Sequence, residues 1–132
     1  MRIFATVKNS LNSNNIVVST NDNIKNISIP SKSSGQGSSI NGGELLFLSL
    51  ATCFCNDVYR EADRRRIHIK SIEVSVFGDF GGEGEPASNI SYKVNIQSDH
   101  DEIEINNLIN HVDKVAEIHN TLRKGTKVDL IS

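Results

Sequence analysis

One stretch of this chain limits its architecture more than any other. From Leu45 to Cys55 only Ser49 and Thr52 are polar. An apolar run this continuous is too long for an ordinary strand and lacks the polar stripe of a surface helix. It predicts a helix buried on nearly every side. Asn41 is a good N-cap, and Glu44 three residues later completes a capping box that satisfies the first free backbone donors. After Asn56 the pattern turns amphipathic, with Val58, Tyr59 and Ala62 among charges, and Arg64-Arg65-Arg66 suits a solvated helix C-terminus. The expected central helix therefore covers 41–66. Within 132 residues such a helix is hard to enclose in one subunit, so a second copy is expected to cover it.

The flanks of this helix read differently. Residues 1–40 are rich in Asn and Ser, yet Ile16-Val17-Val18 and Ile24, Ile27 and Ile29 stand between turn signals, which predicts short strands or hairpins. Their low hydrophobicity leaves a disordered segment as the alternative. Beyond the helix, Ile67 and Ile69 and then Ile72, Val74 and Val76 alternate with a change of phase near Lys70-Ser71, a pattern that predicts a bulged or bent strand. Ile90, Tyr92, Val94 and Ile96 alternate cleanly, so 67–97 reads as a hairpin around the Gly78–Pro86 loop. Ile105, Leu108, Ile109, Val112, Val115, Ala116 and Leu122 keep helical spacing, which predicts one helical segment over 99–125 with Gly125 as its cap. A short final strand is expected at 127–131. The fold class is α+β, in a single domain over 1–132.

Charge and cysteine usage narrow the function. Fourteen Lys and Arg against sixteen Asp and Glu give a net charge of -2, with four of the basic residues (Arg2, Lys8, Lys25, Lys32) and one acid (Asp22) before position 43. Nothing in that balance favours nucleic acid or an acidic membrane surface as partner. No apolar run approaches the roughly 20 residues of a membrane span, and Met1-Arg2-Ile3-Phe4 does not open an apolar signal core, so a reducing, cytoplasmic setting is expected. The two cysteines, Cys53 and Cys55, lie about 200° apart on a helix and should not pair. His68, His100, His111 and His119 have no metal-ligand spacing. The Gly78–Gly84 stretch lacks the Lys-Ser/Thr of a phosphate loop. No metal and no cofactor are expected.

Two segments carry a family resemblance. Gly42-Gly43-Glu44-Leu45-Leu46-Phe47-Leu48-Ser49-Leu50-Ala51-Thr52-Cys53-Phe54 resembles the central-helix motif of the OsmC/Ohr family of osmotically induced and organic hydroperoxide resistance proteins, NPEELL…AAxxxCF. His119-Asn120-Thr121-Leu122-Arg123-Lys124-Gly125-Thr126-Lys127-Val128 is similar to its CPxSxTLxxGxxV segment, and together the two frame residues 35–131. The resemblance implies an OsmC-like fold, antiparallel sheets with a long buried central helix, assembled as an intertwined homodimer with its active site at the subunit interface.

Members of the peroxidase type attack an organic hydroperoxide with a thiolate, which an arginine and a glutamate order and a second cysteine resolves. Carried onto this chain, Cys53 is the candidate peroxidatic thiol. The resolving position is occupied by Ala116, followed by Glu117. The family acid falls at Gly43, beside Glu44, which the capping box already explains. The expected arginine is absent before the helix, where Lys32 is the nearest cation. Two functions emerge as expectations: a one-cysteine peroxidase acting on small organic hydroperoxides with an external thiol as reductant, or a catalytically silent dimer that binds a small apolar molecule in its interface pocket.

Overall fold

The computed structural model describes residues 1–131, whose contacts gather into two compact units, Met1–Leu45 and a second from Leu46 onward. The first unit is an antiparallel meander of β1 (Ile3–Ser10), β2 (Ser13–Thr20) and β3 (Asn23–Ile27) in the order β1-β2-β3. Its tight turns use the residues best suited to a left-handed backbone: Asn21 and Asp22 both have positive φ, 49° and 66°, as a two-residue hairpin turn of the right twist requires. Asn12 and Asn21 thus sit in the turns while Asn9, Asn14, Asn15, Asn23 and Asn26 lie within the strands, and the disordered alternative does not hold.

Helix α1 (Gly42–Arg64) starts where its cap dictates. Asn41 Oδ1 accepts from the Glu44 backbone N–H at 2.8 Å, while Glu44 Oε1 accepts from the Asn41 N–H at 3.1 Å, a reciprocal capping box. From its third turn onward one stripe is buried: Leu50, Phe54, Val58 and Ala62 at intervals of four, with Asp57 and Glu61 beside them. Phe54, Val58 and Ala62 pack with Ile67, Ile69, Leu108, Val112 and Ala116 into the core of the second unit. Enclosure on nearly every side is not met within the second unit. Leu48 and Tyr59 remain 59% and 45% exposed, because the second unit covers α1 with only a two-stranded ribbon and two short helices.

The ribbon pairs β4 (Ser71–Phe80) with β5 (Ala87–Gln97) antiparallel. Ile67 and Ile69 are buried in the core but precede the strand, and the irregularity lies between Phe77 and Asp79, not at Lys70-Ser71. There two residues of β5, Asn89 and Ile90, face the single Gly78, and Asn89 takes the left-handed backbone (φ 54°) that the extra residue needs. A Cβ at Gly78 would stand 2.7 Å from Phe47 Cζ and 3.3 Å from the Ile90 Cα, so glycine lets the strand pass close to both. The expected single helix over 99–125 is two: α2 (Glu102–Val115), capped by Asp101, and α3 (Glu117–Lys124). The break falls at Ala116, whose extended backbone (φ -65°, ψ 112°) turns the chain while its methyl stays buried in the core. The final strand expected at 127–131 does not form. A strand is a pairing, and this segment has none, with Val128 and Leu130 fully open to solvent. No helix of the described residues is long and apolar enough to cross a membrane.

Candidate functional site

Cys53 and Asp57 are one helical turn apart, so α1 places both on the same face. The break after α2 brings Glu117 to that face as well. Cys53 Sγ lies 3.7 Å from Asp57 Oδ2 and 3.8 Å from Glu117 Oε2, so its S–H can donate to either carboxylate. Arg60, one turn beyond Asp57, spans the acids: its Nη1 is 2.9 Å from Asp57 and 3.9 Å from Glu117, and its Nε donates to Glu61 at 3.2 Å. Glu61 is a second hub, also held by Arg64 at 2.9 Å and facing His111 Nε2 at 3.4 Å.

These surroundings set the protonation states. Burial pushes the Cys53 thiol above its ordinary value; the Ile118 backbone N–H, the next largest effect, opposes it, and the charges of Asp57 and then Glu117 push the thiol up again. Burial also raises Asp57, with Glu117 adding to it and Arg60 holding it down in part. Glu117 lies below the usual carboxylate range, first because its own backbone N–H bonds to it. The net picture is a protonated thiol beside a carboxylate that holds a proton more readily than usual. The Cys53, Asp57 and Glu117 ligand atoms lie within 4.8 Å of one another, a spacing that suits a cation, and the Arg60 guanidinium is the cation bound to the two acids here.

The residues singled out in the sequence fall into different places. Cys53 is half-buried against the core, and neither it nor Cys55 is in a disulfide. Ala116, at the resolving position, is fully buried. Glu44 is engaged in the helix cap. Lys32 belongs to the first unit, where its backbone closes a turn with Gly35 and Gly37. Asp57, Arg60 and Glu117 were not legible as partners of Cys53. The spacing 53-57-60 on one helix was a readable signal, whereas Glu117 reaches the site only through the α2–α3 break.

A second cluster lies on β5, α2 and α3. The Tyr92 hydroxyl donates to Asp113 Oδ1, which also accepts from Arg123 Nη2 at 2.6 Å, while Arg123 Nη1 donates to the Asp113 carbonyl at 2.8 Å. His119 is 5% exposed beside this cluster. Its ring stands edge-on to Tyr92 with centroids 4.8 Å apart, and neither ring nitrogen has a hydrogen-bond partner among the described residues. Burial and then the Arg123 charge hold His119 below the ordinary histidine value, so it is neutral at pH 7.

A family model described as OsmC-like protein matches residues 35–131. Among solved structures, an OsmC-like protein from Mycoplasma pneumoniae is 22% identical, with a TM-score of 0.64 over 92% of this chain and 86% of that one. An organic hydroperoxide resistance protein OsmC from Legionella pneumophila is 16% identical, with a TM-score of 0.60 over 93% and 90% of the two chains. A putative organic hydroperoxide resistance protein from Vibrio cholerae, with captopril bound in one of its active sites, is 20% identical, with a TM-score of 0.59 over 93% and 85%. At these identities the likeness is one of fold. Among proteins of curated function, none matches this chain in sequence.

Proposed function

Because the chain belongs to the OsmC-like protein family, we propose that it reduces organic hydroperoxides with one thiol, Cys53, and an external thiol as reductant. The observation that carries this reading is the placement of the Cys53 S–H within reach of Asp57, a buried carboxylate with raised proton affinity. In the proposed step the thiol proton passes to Asp57 and the thiolate attacks the terminal oxygen of ROOH. An S–O bond forms as the O–O bond breaks, the alkoxide recovers the proton from Asp57, and the products are Cys53 sulfenic acid and ROH. Arg60 acts as a positioning residue that holds Asp57 and Glu117 in place. With Ala116 buried at the resolving position and Cys55 on another face of α1, the sulfenic acid is reduced from outside. One external thiol releases water and forms a mixed disulfide, and a second restores Cys53 and leaves as disulfide.

The raised thiol makes the reaction slow at neutral pH and faster in alkali. Consumption of cumene hydroperoxide with dithiothreitol tests it, together with trapping of the sulfenic acid by dimedone. Turnover should rise with pH and vanish in Cys53→Ser. Consumption no faster than that of free cysteine, and equal in the variant, would refute it and leave the silent, ligand-binding reading. Under either reading the chain acts as a homodimer, which the open Leu48 and Tyr59 of α1 favour. Sedimentation at micromolar concentration should give twice the mass of 14.5 kDa, and a monomer would contradict the assembly.

A further inference from the structure

A cavity of about 230 Å³ lies between α1, β5 and α3, lined by Leu50, Ile90, Tyr92, His119, Leu122 and Arg123. Cys53 does not line it. Three walls are aliphatic, and no carboxylate lines the cavity. Asp113, the acid next to it, is already committed to Tyr92 and Arg123. Arg123 is not fully used. Its Nη1 donates to the Asp113 carbonyl and to Asn120 Oδ1 and its Nη2 to Asp113 Oδ1, and the Tyr92 hydroxyl lies against the guanidinium, which leaves at least one of its five hydrogens without a protein partner among the described residues.

The floor of the cavity is polar and equally unspent. His119 is more than nine-tenths buried with both ring nitrogens unpaired, where an aliphatic side chain would pack without that cost. A buried, neutral imidazole with no partner beside a half-exposed guanidinium is a pair of donors without an acceptor. We infer that this cavity binds a small monocarboxylate with an apolar body, the carboxylate accepting from Arg123 and His119 and the body lying on Leu50, Ile90 and Leu122. A neutral head leaves the arginine hydrogens poorly matched, and a cationic head meets Arg123 unfavourably. The ring nitrogens are covered by their neighbours, so a bond from His119 to the head group requires the ring to turn beside Phe54 and Tyr92. The volume accommodates about eight groups of water size at roughly 30 Å³ each, which is the size of hexanoate.

Titration of the full chain with hexanoate, 1-hexanol and hexylamine tests this, followed by NMR at the Leu50, Ile90 and Leu122 methyls and the His119 ring. Hexanoate should give saturable shifts at all four residues, hexanol should bind at least about tenfold more weakly, and hexylamine should give none. Arg123→Met, which keeps the stem and removes the charge, should bring hexanoate down to the level of hexanol. Equal binding of acid and alcohol, or no saturation with hexanoate up to about 10 mM, would overturn the inference. Should Arg123→Met fail to fold, the three-ligand comparison on the unaltered chain decides alone. Peroxidase turnover is a separate readout, so each result stands apart from the other.

Discussion

Replacing Glu117 by glutamine tests whether the carboxylates govern the Cys53 thiol. Glu117 Oε2 is 3.8 Å from Sγ and its side chain is 64% exposed, so its charge acts through a largely aqueous path. At that distance two unit charges in water interact by about 1 kcal/mol, which corresponds to about 0.7 pKa unit. Arg60, 3.9 Å from Glu117, already offsets part of the field. The expected fall in the Cys53 pKa is therefore about half a unit. That shift raises the thiolate population at neutral pH about threefold. Intrinsic nucleophilicity falls with pKa, with a Brønsted coefficient of about 0.4–0.5, so the net gain in rate is about twofold. The assay is the pH dependence of iodoacetamide alkylation in a Cys55→Ser background, where Cys53 is the only thiol. Glu117→Asp, which keeps the charge, should move the midpoint less than Glu117→Gln. A midpoint that stays put or rises in Glu117→Gln would refute the electrostatic account of the site.

Three further outcomes are expected. Phe54→Ala, at a fully buried position tilted against Tyr92 and His119, should cost about 3–5 kcal/mol in denaturant unfolding. Asn41→Ala, which removes one half of the reciprocal cap, should cost about 1 kcal/mol by the same measurement and lower helicity in circular dichroism. His119 lies below its ordinary value of 6.5 in the folded chain, so below that pH the unfolded chain binds a proton that the folded chain does not. Stability present above pH 6.5 should thus decline as the pH falls, and His119→Leu should flatten that dependence in thermal unfolding followed across pH 4–8.

The elements with local causes were readable in the chain. Helix α1 begins at Gly42 because Asn41 and Glu44 satisfy each other's backbone donors three residues apart, and that information lies in four consecutive positions. The hairpin of β4 and β5 followed from alternation of period two, and the OsmC-like family from two motifs whose spacing survives in the residues themselves. A glycine inside an alternating run is itself a bulge signal, but the pairing of Asn89 and Ile90 against the single Gly78 is fixed only when the two strands meet.

The chemistry of Cys53 divides in the same way. The sequence alone determined which cysteine falls at the cysteine of the family motif and that position 116 offers no second thiol. Only tertiary structure decided what the thiol feels. Glu117 is 64 residues away in the chain and arrives beside Sγ because the helix breaks at Ala116, while packing against the core removes the water that would otherwise stabilise the thiolate. A pKa depends on distance and desolvation, and both are properties of the folded chain.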